Sequence, residues 1–199
     1  MTLLALLRHG ATEWNAAGRL QGRADPPLLA AARLALAERC LPRCLAGACW
    51  HVSPLRRAAE TAGLLGGAPL RLEPRLVELD FGAFEGRRLV DLRRDPDAAM
   101  AANEARGLDF QPPGGESPRQ LRDGRLRPWL AELSAAGGWH VAVTHKTPIR
   151  VMLTLACDWP LLGKPPVRLD WDCLQLFWLE AGGAPRPLRF NLPLAERAT

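Results

Sequence analysis

The chain has 199 residues, of which 48% are hydrophobic and 24% are charged, and its formal net charge is +5 at pH 7. This length and balance suit one globular domain, which we expect to span residues 1–199. The N-terminal apolar run stops at Arg8, too early for a transmembrane helix, and it lacks the basic leader of a signal peptide. We therefore expect a cytoplasmic protein that binds no membrane.

The basic charge and the cysteines argue against two further classes of site. Arginines are spread along the whole chain, whereas a nucleic-acid interface needs clustered cations with interleaved aromatic residues. We expect no nucleic-acid partner, and the charge would instead attract anionic small molecules. The five cysteines form no Cys-x-x-Cys pair, so we do not expect a zinc site.

Predicted strands and helices alternate along the chain. Strands are predicted at residues 3–7, 50–52, 70–72, 139–144, 173–179 and 188–191. Helices are predicted at residues 27–41, 54–65, 86–94, 95–106, 118–134 and 148–157. This order predicts an α/β fold, a three-layer α/β/α sandwich with a mostly parallel central sheet. Residues 82–113 carry helices without a convincing strand, so we expect a helical insertion that covers the strand ends.

Three helix starts show a hydroxyl residue followed by proline. The pairs are Ser53-Pro54, Ser117-Pro118 and Thr147-Pro148, and each predicts an N-cap with proline at the first helical position. The spacing of Ser117 and Gln120 also predicts a capping box.

Arg8-His9-Gly10 follows the first predicted strand directly. Ligands bind beyond the carboxyl ends of parallel strands, so this triplet is placed to meet an anion. Arg8 offers a planar fork of donors to phosphate oxygens, and Gly10 lets the backbone approach a ligand closely. The triplet alone is a weak motif and needs structural context.

Two further segments supply that context. Arg56 and Arg57 open the helix after the second strand, where cations oppose the helix dipole unless an anion binds; two solvated arginines are the alternative. His145 follows another strand directly before a helix, so it should converge with His9 at one edge of the sheet.

The remaining histidines carry no predicted chemistry. His51 and His140 lie at strand starts, at the opposite edge of the sheet from His9, and we assign them no chemical role.

Glu78 lies in an apolar segment, where desolvation would raise its pKa and keep it protonated more readily. A protonated carboxyl group suits a general acid that protonates a leaving oxygen. A solvated loop carboxylate is the alternative, and Asp80 and Glu85 are better candidates for that role. Together these residues fit a phosphoryl-transfer site that needs neither a metal nor another cofactor.

The same motifs, in this order, resemble the histidine phosphatase superfamily, the clan that contains cofactor-dependent phosphoglycerate mutase. The resemblance covers essentially the whole chain and rests on RHGATEWN, Gln21-Gly22-Arg23, SPLRRAAETA, ELDFGAFEG, PPGGES and VTHKTPIR. It implies a phosphoglycerate mutase-like fold with His9 as the phosphorylated nucleophile and Glu78 as the proton donor. It further implies that the phosphate or substrate is contacted by Arg8, Arg57, His145, Asn15, Gln21 and Gly22.

Two positions depart from the family pattern. Lys146 stands where relatives usually have glycine, and it could reach an anionic substrate or point to solvent. Residues 29–32 read LAAA in place of the usual threonine and glycine, which concerns helix packing more than chemistry.

The resemblance favours a phosphatase that acts on a small phosphomonoester through a phosphohistidine. A phosphoglycerate mutase-type isomerase and a non-catalytic phosphate-binding protein are the alternatives. The sequence does not name the substrate. It also leaves the oligomeric state open, a homodimer being one candidate because seven tryptophans could supply interface anchors.

Overall fold

The computed structural model describes residues 1–96 and 99–197, and it is organised around a central β-sheet. The strands are Thr2–Arg8 (β1), Arg39–Cys40 (β2), Cys49–Val52 (β3), Leu70–Leu72 (β4), Gly138–Thr144 (β5), Cys173–Leu179 (β6), Pro185–Pro193 (β7) and Ala195–Glu196 (β8). The α-helices are Glu13–Ala16 (α1), Ala30–Ala37 (α2), Arg56–Leu64 (α3), Leu89–Arg94 (α4), Met100–Glu104 (α5), Pro118–Gln120 (α6), Arg127–Ala136 (α7) and Lys146–Ala156 (α8).

The central sheet has six strands in the order β4-β3-β5-β1-β6-β7. β4, β3, β5 and β1 run parallel, whereas β6 and β7 are antiparallel to their neighbours. β2 and β8 pair separately. The predicted α/β fold with a mostly parallel sheet is confirmed.

Alternating side chains of β1 build a core on each face of the sheet. Leu4 and Leu6 pack into one cluster with Trp129 of α7 and Ile149 of α8. On the other face, residues 3, 5 and 7 pack with Ala58 of α3. Helices thus cover both faces, which gives the three layers.

The register of β1 and β5 brings two strand ends together. Arg8 lies opposite Thr144 in the parallel pair, so the next residues, His9 and His145, emerge at the same edge. The backbone N–H of His9 also donates to the Thr144 carbonyl at 2.9 Å. The predicted convergence of the two histidines is therefore built into the sheet.

The segment 82–113 forms short helices, with no strand among its described residues. A 3₁₀ turn at Gly82–Phe84 is followed by α4, α5 and a second 3₁₀ turn at Gly107–Asp109. Phe84, Leu92 and Met100 give this segment a small core of its own. The helix predicted at 95–106 is observed only at Met100–Glu104, and residues 97 and 98 of that prediction lie outside the described residues.

Two of the three predicted helix caps are wrong. α3 begins at Arg56 with Leu55 at the N-cap position, so Ser53 lies two residues before the cap. The Ser53 hydroxyl contacts His145 instead of capping the helix. α8 begins at Lys146 with His145 at the N-cap position, ahead of Thr147. The predicted capping box of Ser117 and Gln120 is confirmed.

Two predicted helices differ in extent from those observed. Residues 27–41 form only α2, since Arg39–Cys40 pairs instead with Ala195–Glu196. The helix predicted at 118–134 is interrupted by a π-helical stretch at Leu121–Leu126. Pro128, near the start of α7, has no N–H group to donate a hydrogen bond to the carbonyl four residues earlier. This missing hydrogen bond accounts for the wider π-helical turn before α7.

Candidate active site

His9 is almost completely buried and its two ring nitrogens have different partners. Nδ1 lies 2.6 Å from the Gly10 carbonyl oxygen, and Nε2 lies 3.3 Å from Nε of Arg57. A carbonyl oxygen only accepts hydrogen bonds and a guanidinium only donates them, so Nδ1 carries the proton and Nε2 presents a lone pair. Nε2 is therefore the ring nitrogen whose lone pair is suited to act as a nucleophile.

The surroundings of His9 keep its ring neutral. Burial, followed by the positive charges of Arg57 and Arg8, lowers the pKa of His9 from 6.5 to about 3. A neutral imidazole retains the Nε2 lone pair at pH 7, which an attack on phosphorus requires.

Arg57 is held rigidly behind His9. Its side chain is fully buried, and its guanidinium donates to the carbonyls of Ala24 (2.7 Å) and Gly22 (3.0 Å). Asp25 lies 3.8 Å away as the nearest carboxylate. Carbonyl partners position the cation without cancelling its charge, so Arg57 remains available to an anion.

Arg56 lies on the opposite, solvent side of α3. Its Nε donates to Glu60 at 2.6 Å, and more than half of the side chain is exposed. Consecutive residues of an α-helix are about 100° apart around the axis, so Arg56 and Arg57 project in different directions.

Glu85 joins two loops of the site, in contrast to the solvated role expected for it. Its carboxylate accepts from the backbone N–H groups of Arg23 (2.7 Å), Ala24 (3.2 Å) and Phe81 (3.3 Å). Because Ala24 in turn binds Arg57, Glu85 fixes the loop that positions the guanidinium. Asp80 serves only a local turn, accepting from the N–H of residue 82 at 2.8 Å.

His145 is completely buried beside His9, with the ring centroids 5.1 Å apart. Its Nε2 lies 2.8 Å from the Ser53 hydroxyl, whereas its Nδ1 is buried without a hydrogen-bond partner among the described residues. Burial, then the nearby cationic and imidazole groups, lowers the pKa of His145 well below its ordinary value. In the tautomer in which Ser53 donates to Nε2, the proton resides on Nδ1 and can be offered to a ligand.

Two more buried polar atoms at the site lack partners within the described part of the chain. These are Nε of Arg8 and Oε1 of Gln21. Buried polar groups are normally hydrogen-bonded, so their concentration at one place indicates a polar ligand.

Glu78 is buried, and both of its carboxyl oxygens contact backbone N–H groups. Oε1 accepts from Leu79 at 2.8 Å and Oε2 from Thr147 at 3.4 Å. Burial raises the pKa of Glu78, partly offset by these hydrogen bonds and the charge of Arg57. A raised pKa is the property required of a general acid.

A cavity of about 590 Å³ brings these groups together. Seven of the predicted residues line it: Arg8, His9, Asn15, Gln21, Arg57, Glu78 and Lys146. Gly22 and His145 contact these residues from behind, through the Gly22 carbonyl and the His145 ring. The oxygen of Asn15 accepts from the backbone N–H and the hydroxyl of Thr12, so its NH₂ group is the part of the amide that could donate to a ligand.

The segment 82–113 contributes lining residues that were not predicted, among them Arg88, Leu89 and Arg93, and Phe81 directly before it also lines the cavity. These residues form one wall of the cavity.

Trp171 is a further contact that sequence reasoning missed. Its ring lies 5.9 Å from the Arg8 guanidinium carbon and 5.3 Å from Nζ of Lys146. It belongs to an irregular loop before β6, where no spacing rule predicts its position.

Two kinds of feature are absent from residues 1–96 and 99–197. These residues contain no group of three or more histidine, cysteine, aspartate or glutamate side chains arranged to hold a metal ion. They also form no helix that is long and apolar enough to cross a membrane.

Comparison with known proteins places this geometry in a family. The profile of the histidine phosphatase superfamily (branch 1) matches residues 4–191. The chain is 35% identical over 167 residues to the "Bifunctional protein Rv2228c" of Mycobacterium tuberculosis. The matched region covers 79% of this chain but only 44% of that protein. It is 33% identical over 196 residues to "Probable phosphoglycerate mutase GpmB" of Salmonella paratyphi C, covering 92% of this chain and 90% of that protein.

A solved structure supports the same relationship. The mycobacterial glucosyl-3-phosphoglycerate phosphatase Rv2419c, determined with VO3, superposes with a TM-score of 0.74 at 28% identity. The superposition covers 98% of this chain and 99% of that one. With the family profile spanning nearly the whole sequence, the chain belongs to the histidine phosphatase superfamily (branch 1).

Proposed function

We propose that this protein is a phosphomonoester phosphatase that acts on a small phosphorylated metabolite through a phosphohistidine on His9. The observation that carries the proposal is the neutral Nε2 of His9, which accepts from Arg57 in a cavity that also holds Arg8 and Glu78. A nucleophile, cationic donors and a carboxyl group of raised pKa thus line one space.

In the first step, Nε2 of His9 attacks phosphorus and the bond from phosphorus to the leaving oxygen breaks. Glu78 gives its proton to that oxygen, so the alcohol departs neutral. Charge on the equatorial oxygens is stabilised by Arg8, Arg57 and Nδ1–H of His145. The Gly10 carbonyl accepts from Nδ1–H of His9 and supports the positive charge that develops on the ring.

In the second step, water attacks the phosphoryl group while the Glu78 carboxylate takes a proton from it. The P–N bond breaks, phosphate leaves, and both His9 and Glu78 return to their starting protonation states. Asn15, Gln21 and Lys146 would add donors to the phosphate or the rest of the substrate. The guanidinium and imidazole donors supply the positive charge, so we expect activity to survive chelation by EDTA.

A phosphoglycerate mutase-type transfer is the second candidate, because the Salmonella relative is named as a probable mutase. A mutase would return the phosphoryl group to an organic acceptor in place of water. A non-catalytic phosphate-binding role fits less well, since His9 and Glu78 are both present and line the same cavity.

One pair of assays separates these functions. Phosphate release should be measured across phosphosugars, nucleotides, phosphoglycerates and ribazole phosphate, alongside isomerisation of 3-phosphoglycerate. We expect phosphate release from at least one ester. Isomerisation without phosphate release would identify a mutase. The absence of both activities would favour a binding protein.

A further inference from the structure

A second cavity, of about 390 Å³, lies beside the phosphate site. The two cavities share six wall residues: Leu20, Phe81, Leu89, Arg93, Lys146 and Thr147. Beyond this boundary the second cavity has largely apolar walls, supplied by residues such as Met100, Phe110 and Leu161. The organic part of a phosphomonoester bound at His9 would extend into this space.

Two cations of α8 face the second cavity, each beside a tryptophan ring. Lys146 Nζ lies 5.3 Å from the ring of Trp171, and the Arg150 guanidinium carbon lies 5.2 Å from the ring of Trp159. The indole N–H of Trp159 donates to the Leu162 carbonyl at 2.8 Å, which fixes that ring. The cations are four residues apart, hence on one helix face and separated by about 6 Å along the axis.

Neither cation forms a direct ion pair with a described residue, although the carboxylate of Glu78 acts on Lys146 and that of Glu104, which also lines this cavity, acts on Arg150 from a longer distance. Among residues 1–96 and 99–197, no carboxylate lies within 4.0 Å of Lys146 or Arg150. The third cation of this cavity, Arg93, differs because it donates to both oxygens of Glu104 at 2.7 to 3.2 Å. A cation–π contact orients a cation but leaves its charge intact, and a half-buried charge without an ionic partner is costly.

We propose that Lys146 and Arg150 bind a carboxylate on the alcohol part of the substrate, an inference that rests on the proposed phosphatase function. The substrate class is therefore a phosphomonoester whose alcohol part carries a carboxylate, joined to the phosphate by a partly apolar framework that fits the walls of the second cavity. A planar guanidinium matches the two oxygens of such a carboxylate.

The test compares 4-carboxyphenyl phosphate with 4-carbamoylphenyl phosphate, which has the same shape and no second charge. We expect wild-type kcat/KM to favour the carboxylate by about tenfold or more, the scale of a hydrogen bond to a charged group. Arg150→Gln and Lys146→Gln should each move this ratio towards one, and Arg150→Lys should keep part of it. Because the wild-type ratio needs no variant, the test holds even where Arg150→Gln fails to fold.

Arg186→Gln is the matched control. It removes one positive charge at the opposite edge of the sheet, where the exposed Arg186 pairs with Glu180 at 3.0 Å. This variant should keep the wild-type ratio. Turnover of both esters with a wild-type ratio near one would overturn the carboxylate site and leave the phosphatase function standing. Failure to hydrolyse any phosphomonoester would overturn the phosphatase function itself.

Discussion

Nε of Arg57 lies 3.3 Å from Nε2 of His9, the nitrogen opposite the one that contacts the Gly10 carbonyl. The same guanidinium is fixed by two backbone carbonyls, so its position is set before any ligand arrives. A phosphoryl group on Nε2 would meet a donor that needs no reorganisation. In the proposed mechanism, this pre-organisation would make Arg57 the residue that links phosphate binding to nucleophilic attack.

Arg57→Ala should lower kcat/KM by about a hundredfold, the usual effect of removing one charged donor from a developing transition state. Arg56→Ala should have a far smaller effect, because Arg56 faces solvent and pairs with Glu60. Circular dichroism spectra of both variants should match the wild type before the kinetics are compared. Equal losses from the two substitutions would contradict the assigned role of Arg57.

Glu78→Gln should impair substrates in proportion to how poor their leaving group is. An alkyl phosphate needs the proton of Glu78, so phosphoenzyme formation from it should fall by roughly a hundredfold or more. A para-nitrophenyl ester should lose much less, since its phenolate leaves nearly unaided. Rapid quench measures this first step separately from hydrolysis of the phosphoenzyme.

The control for this experiment is Asp80→Asn, because Asp80 serves only a local turn. It should show no dependence on the leaving group. If Glu78→Gln slows alkyl and aryl esters equally, Glu78 positions the substrate and does not act as the acid.

Gly22→Ala should reduce activity through Arg57. Residue 22 has a positive φ of 52°, and a Cβ atom there would collide with the Glu85 carboxylate. Displacing this loop would move a carbonyl to which Arg57 donates, so we expect kcat/KM to fall by more than tenfold, on the scale of a misplaced catalytic donor. Gly47→Ala, at a similarly positive φ of 78° with open space around it, should leave kcat/KM at the wild-type value.

The buried pair of His51 and His140 should make stability depend on pH. Nε2 of His51 lies 3.1 Å from Nδ1 of His140, and burial is the largest of the causes that lower the pKa of His51 to about 4. The folded state therefore binds fewer protons than the unfolded state between about pH 6.5 and 4. Stability from this group is complete above that window and is lost as the pH falls through it.

Urea unfolding at several pH values tests this effect. The slope of the unfolding free energy against pH should be shallower in His51→Gln than in the wild type, by up to about 1.4 kcal/mol per pH unit. Titrating groups that do not contact His51, including Glu78 with its opposite sign, are common to both proteins and cancel in the difference, whereas His140 loses its contact with His51 and contributes to the change. Parallel curves would show that His51 titrates normally in the folded protein.

The convergence of His9 and His145 could be predicted because it follows from local rules. Both residues end parallel strands, and neighbouring parallel strands have their carboxyl ends at one edge. The preference for Arg57 over Arg56 follows instead from the family resemblance, and helix geometry adds only that consecutive residues point in different directions. The convergence needs strand direction alone, whereas the choice of arginine needs the family pattern.

Three features could not be predicted because each depends on long-range packing. Ser53 has the sequence pattern of a helix cap, but the fold places its hydroxyl against His145 from a distant strand. Glu85 binds a loop sixty residues earlier in the chain. Trp171 comes from an irregular loop whose path is set by the surrounding side chains, not by a repeating pattern.

Rapid-quench trapping can detect a phosphohistidine on His9 as a chemical species. Wild-type protein mixed with a ³²P-labelled phosphomonoester that it hydrolyses should give an acid-labile, base-stable phosphoenzyme, and mass spectrometry should locate the phosphoryl group on His9. His9→Ala, folded to the same extent by circular dichroism, should form no phosphoenzyme and show no turnover. Substantial turnover by His9→Ala, or a phosphoryl group on another residue, would contradict the mechanism.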